Sequence, residues 1–104
     1  AYTLSGGQIK LLEIGRALMC NAKLILADEP AAGLNPKLAM EIFDHIKNLS
    51  KKLDITILLV EHRLDLALNI ADYVYAMHNG KVIAQGLPEE IINNEKVIES
   101  YLGK

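Results

Sequence analysis

The stretch Lys23–Pro30, KLILADEP, decides how the rest of the chain is read. It is a short apolar run that stops in two acids and a proline, as a buried parallel strand does. A second run, Asp54–His62 (DITILLVEH), repeats the design with β-branched residues and ends in Glu61 and His62. Between them lies LNPKLAMEIFDHIKNLSKK, a helix with Asn35 as N-cap, Pro36 at its first position and an apolar face of Leu38, Ile42, Ile46 and Leu49. Strand, helix and strand in that order predict a parallel pair joined by a crossover.

Working outward, residues 6–20 form an amphipathic helix whose buried positions are Leu11, Ile14, Gly15 and Leu18. On the other side, RLDLALNIA is a further helix. YVYAMHNGKVIAQG places Asn79-Gly80 between two apolar runs, the strongest short hairpin signal. Pro88 opens a terminal helical segment, broken near Asn93-Asn94 and ending at Leu102. The expected fold class is therefore α/β, with parallel strands flanked by helices and a C-terminal antiparallel hairpin. In such sheets ligands sit beyond the carboxyl ends of the strands, and here that edge collects Asp28, Glu29, Glu61 and His62. Glu61 is read as a strand-end charge without chemistry, and His45 and His78 as structural.

Composition narrows the class. The 104 residues carry 11 basic and 13 acidic side chains, and the absence of a basic tract argues against nucleic acid as a partner. Every apolar run is short and interrupted by charge, so none spans a bilayer or acts as a signal peptide; a soluble intracellular chain is expected. Cys20 is the sole cysteine, which excludes an internal disulfide and a cysteine-based metal site. It is expected to be a small buried hydrophobe.

The first helix opens oddly, with LSGGQ. Ser5 and Gln8 form a capping box, but Gly6 and Gly7 in the first turn each cost roughly 1 kcal/mol relative to alanine. A plain cap would not need them.

Together these residues resemble the ATPases of the ABC family. Leu4-Ser5-Gly6-Gly7-Gln8 resembles the signature motif, Leu24 to Glu29 the Walker B strand, AAGLNP the D-loop, and His62 the switch histidine, in the family's order and with similar spacing. Within the family the chain is most similar to the ATP-binding subunits of branched-chain amino acid importers, through GGQIKLLEIGRALM, DEPAAGLNP and EHRLDLAL. The resemblance implies that Ser5, Gly6, Gly7 and Gln8 face ATP held by a second ATPase subunit in a head-to-tail dimer. It implies that Asp28 assists Mg²⁺, that Glu29 is the general base for the attacking water, and that His62 contacts the γ-phosphate or fixes the water and Glu29. Ala32, Gly33, Leu34 and Asn35 would lie at the dimer interface, and membrane permease subunits would hold the assembly on the inner face of the cell membrane. Adjacent residues of an extended segment point to opposite sides, and Pro30 keeps Glu29 out of helical geometry, so the two acids are expected to have separate roles.

Two departures matter. Many relatives end the D-loop in aspartate, where this chain has Asn35, and capping is then its expected role. No G-x-x-x-x-G-K-[ST] occurs, so residues 1–104 are read as the C-terminal portion of an ABC ATPase domain, without the P-loop. The fragment is expected to be inactive alone and to self-associate through open sheet edges. The alternatives are an ABC ATPase that moves no solute, or a non-catalytic interaction module.

Overall fold

The computed structural model of the chain describes residues 12–16 and 19–102. It divides into two units between His62 and Arg63. The first holds helix α1, described over residues 12–16, strand β1 (Leu24–Asp28), helix α2 (Pro36–Leu53) and strand β2 (Thr56–Val60). The second holds α3 (Leu64–Ile70), β3 (Val74–His78), β4 (Lys81–Gly86), α4 (Pro88–Ile92), α5 (Glu95–Val97) and a π-helical segment, Ile98–Leu102. This is the expected α/β layout, with one parallel and one antiparallel pair.

In the first unit β1 and β2 run parallel, from Leu24 opposite Thr56 to Asp28 opposite Val60. Thr56 N–H donates to Lys23 O at 3.0 Å, which starts the ladder one residue early. The two faces of this pair are covered unequally. Leu24, Leu26, Leu58 and Val60 are 54, 70, 54 and 54% exposed, whereas Ile25, Ala27, Ile57 and Leu59 on the opposite face are partly buried. Continuous apolar strands carry two faces to cover, and the sheet has two strands and one sheltered face among the described residues.

Helix α2 begins at Asn35, whose side chain accepts from Leu38 N–H at 2.9 Å, and Pro36 follows at its first position. Its buried residues are Ala39, Ile42, Phe43 and Ile46, spaced i, i+3, i+4 and i+7. Leu38 is 38% exposed and Leu49 only partly buried, so the expected apolar face is displaced by one position toward Ala39 and Phe43. Choosing the longest aliphatic side chains overlooked the small alanine that sits fully inside. The helix ends where Asp54 turns left-handed at φ 54. There the N–H groups of Asp54 and Ile55 both donate to Ser50 O, and Lys51 and Lys52 suit the negative end of the helix dipole.

Around α1, Ile14 and Gly15 are partly buried and Leu12, Glu13 and Arg16 are exposed, as the helical period requires; Leu11 and Leu18 lie outside the described residues. Cys20, expected inside, is exposed. It falls in a turn before β1 rather than on the helix's covered face.

The second unit is organised by its hairpin. Asn79 and Gly80 take φ values of 50 and 77, the pair of left-handed residues a type I′ turn needs. The register shifts between Ala76 and Met77, so that Ala76 pairs with Ala84 and Met77 with Val82, a bulge at Ile83. Ala76, Ile91 and Val97 form its core, with Leu64, Leu68, Val74, Ile83 and Ala84 packed around them. Pro88 starts α4 as expected, and Glu90 Oε1 accepts from Leu87 N–H at 2.9 Å. Asn94 caps α5 by accepting from Lys96 N–H at 2.9 Å and Val97 N–H at 3.2 Å, which places the helical break at Asn93-Asn94. The Tyr101 hydroxyl donates to Met77 O, tying the π-helical segment to β3. No helix among the described residues is long and apolar enough to cross a membrane.

The displaced face of α2 is open to measurement. Phe43 is fully buried, so Phe43→Ala should cost about 3–5 kcal/mol of stability in urea unfolding. Leu38→Ala should cost a small fraction of that, and equal losses would restore the face centred on Leu38.

Candidate functional site

The parallel ladder does not stop at Asp28. Glu29 N–H donates to Val60 O at 2.8 Å, one rung beyond the strand, and fixes the ends of β1 and β2 side by side. There the chain turns sharply: Ala32 N–H donates back to Glu29 O at 3.0 Å, with Pro30 second in the turn, where its fixed φ is well suited. Glu29 itself takes φ 45. The residue before proline was expected to be extended, and the structure puts it in the left-handed region instead, at a cost of about 1–3 kcal/mol for a side chain of this size. The rung to Val60 and the immediate reversal require it.

The strained backbone presents Glu29 to His62. His62 Nδ1–H donates to Glu29 Oε1 at 2.5 Å, across a sequence separation of 33. Because an ionised carboxylate only accepts, the proton in this bond sits on Nδ1, leaving Nε2 as the ring's second functional atom. The pair is open to solvent, with side-chain exposures of 72% for His62 and 42% for Glu29. Asp28, in register with Val60, belongs to the exposed face of the sheet. The two acids thus have different surroundings, one exposed to water and one bonded to the histidine. An exposed carboxylate with room for water suits Mg²⁺, which is held through one or two carboxylates plus substrate phosphates and keeps several waters.

Glu61 is the residue that the sequence reading passed over. Its side chain is only 1% exposed. Oε1 accepts from the His62 backbone N–H at 2.9 Å and stands 3.5 Å from Nδ1. The signal was present in the alternation of β2, which puts Ile57, Leu59 and then Glu61 on the covered side. Ligand atoms of Glu29, Glu61 and His62 all lie within 4.8 Å of one another. The shortest of these separations is the Glu29–His62 hydrogen bond.

The loop after Pro30 makes a second turn, Leu34 N–H to Ala31 O at 3.2 Å, with Gly33 at φ 81 in the position where a type II turn needs glycine. Ala31 is buried, whereas Ala32, Gly33 and Asn35 are exposed and Leu34 is partly so. Asn35 has the geometry of a cap. His45 and His78 are exposed. Ser5, Gly6, Gly7 and Gln8 lie outside the described residues.

A parallel strand pair whose carboxyl edge holds an acid–histidine pair is placed where open α/β sheets bind their ligands. Comparison with known proteins narrows this. The ABC transporter family model matches residues 1–32, and that of the branched-chain amino acid ATP-binding cassette transporter matches residues 81–104. A protein of Archaeoglobus fulgidus named as a probable branched-chain amino acid transport ATP-binding protein, LivG, is 52% identical over 103 residues, which are 99% of this chain and 40% of the relative. Its namesake in Methanocaldococcus jannaschii is 54% identical over 108 residues, covering 100% of this chain and 42% of the relative. A solved ATP-binding cassette of an ABC transporter in its ADP conformation superposes with a TM-score of 0.85 at 50% identity, covering 97% of this chain and 41% of that one. The chain belongs to the ATP-binding proteins of ABC transporters. It spans 40 to 42% of the length of these curated relatives.

The cap at Asn35 can be separated from any charge effect. Asn35→Ala should lower stability by about 0.5–2 kcal/mol, and Asn35→Asp, which keeps an acceptor for Leu38 N–H, should lose little. Thermal unfolding of both variants decides it; equal losses would show that the side chain does not act as a cap.

Proposed function

We propose that the chain is part of an ATP-hydrolysing subunit of an ABC importer for branched-chain or other amino acids, and that it contributes the water-activating side of the ATP site. The observation that carries this reading is the 2.5 Å bond between His62 Nδ1 and Glu29 Oε1 at the carboxyl edge of the parallel strands. Relatives named for branched-chain amino acid transport support the solute class.

In this reading Glu29 is the general base. Oε1 is engaged by His62, and the second carboxylate oxygen receives the proton of a water attacking the γ-phosphorus as the bond to ADP breaks. His62 keeps the carboxylate aimed and offers Nε2 to the phosphate. Asp28, exposed at the end of β1, would assist Mg²⁺, and the ion would supply positive charge to offset that of the phosphates. Ser5, Gly6, Gly7 and Gln8 complete the ATP site of a second subunit in a head-to-tail dimer, with Ala32 to Asn35 between the two sites. Permease subunits hold the pair at the cytoplasmic face of the membrane. The P-loop comes from the part of the subunit outside residues 1–104, so the 104-residue chain by itself binds MgATP weakly.

The division of labour between the acids is tested in the intact subunit. Glu29→Gln should lower ATP turnover by ~10² to 10⁴-fold and leave an ATP-bound dimer on size exclusion, because nucleotide binding is untouched. Asp28→Asn should destabilise that dimer instead. Wild-type turnover in Glu29→Gln, or a dimer trapped only by Asp28→Asn, would refute the assignment.

The open sheet supports a second expectation. With Leu24, Leu26, Leu58 and Val60 exposed on one face of the strand pair, the 104-residue chain should self-associate in sedimentation runs, and Leu26→Asp should shift it toward monomer. A monomeric wild-type chain at high concentration counts against this.

A further inference from the structure

We propose that Glu61 is a positioning residue for His62: its carboxylate, bonded to the His62 backbone N–H, holds the imidazole so that Nδ1 stays on Glu29 and Nε2 remains the atom offered outward. This rests on the reading of Glu29 and His62 given above.

Residue 61 falls on the covered side of β2's alternation, where Ile57 and Leu59 precede it and an apolar residue would ordinarily follow. Burying a carboxylate there, at 1% side-chain exposure, is costly unless hydrogen bonds answer it. One answer is local and specific. Oε1 accepts from the N–H of the very next residue at 2.9 Å, so the side chain folds over its own peptide and sets the orientation of the His62 backbone. The same oxygen stands 3.5 Å from His62 Nδ1, and Glu29 Oε1 stands 2.5 Å from it.

The ring therefore has carboxylate oxygen near one edge from two directions. A half-turn about the bond joining the ring to Cβ would exchange Nδ1–H for a carbon-bound hydrogen and forfeit the bond to Glu29. The two carboxylates together select one ring orientation. Glu29 defines the bond, and Glu61 anchors the backbone from which the ring swings. His62 needs such an anchor, because its side chain is 72% exposed and has little packing to restrain it.

The experiment uses the intact subunit and compares ATP turnover in Glu61→Ala, Glu61→Gln and Glu29→Gln. Glutamine keeps an oxygen that can accept the His62 N–H; alanine does not. Glu61→Ala should lower kcat about 10- to 100-fold, the scale of a misplaced catalytic group, with KM for ATP within about two-fold of wild type. Glu61→Gln should recover most of kcat. The proposal is overturned if Glu61→Ala keeps wild-type kcat, if Glu61→Gln is as slow as Glu61→Ala, or if the loss appears in KM. Glu29→Gln separates the two levels of inference. Should it retain turnover, the general-base reading itself fails; should it abolish turnover while Glu61→Ala changes nothing, only the role of Glu61 falls.

Discussion

The hydrogen bond from Glu29 N–H to Val60 O holds the site together. It is the last rung of a five-residue parallel ladder, and it brings two chain segments separated by a whole helix to the same edge. Parallel pairing needs a crossover of this kind, and α2 provides it. Were the register to slip by one residue, the side chains of the slipped strand would change faces relative to its partner, and Glu29 and His62 would no longer meet. The site is thus a consequence of strand register before it is a matter of side-chain chemistry.

That rung also explains the strained backbone. A residue that must both extend a ladder and begin a proline turn cannot stay in the extended region, and Glu29 resolves the conflict at φ 45. The penalty is local, about 1–3 kcal/mol, and the ladder and the turn bond to Ala32 offset it. What results is a carboxylate that departs from the regular alternation of β1 and meets the histidine at the end of β2. Asp28, still within the strand, stays on the exposed face. Two neighbouring acids acquire different surroundings because the strand ends between them.

Much of the fold was legible from local signals. Asn35 with Pro36, Asn79 with Gly80, and Pro88 each announce an element boundary by their own backbone chemistry, and each boundary falls where it was expected. Burial was less legible. Leu38 looked like a core residue and is partly exposed, Ala39 was overlooked and is fully buried, and Cys20 looked buried and is not. Hydropathy ranks side chains by type, whereas burial depends on which side of an element another element happens to cover. The continuous apolar runs of β1 and β2 show the same limit, since a sequence can state that two faces are apolar without stating what covers each.

The sequence by itself determined the order of elements, the acids and the histidine at the strand ends, and the motifs that resemble those of the ABC family, because turns, caps and periodicity are written in residues close together in the chain. Only the tertiary structure decided which carboxylate meets His62, and through which nitrogen. It alone turned Glu29 left-handed where proline's usual influence favours extension, and it alone made Glu61 more than a charge at the end of a strand. The physical reason is distance along the chain: the Glu29–His62 bond spans a separation of 33 residues, and its geometry depends on strand register and a strained turn. Local sequence preference specifies neither of them alone.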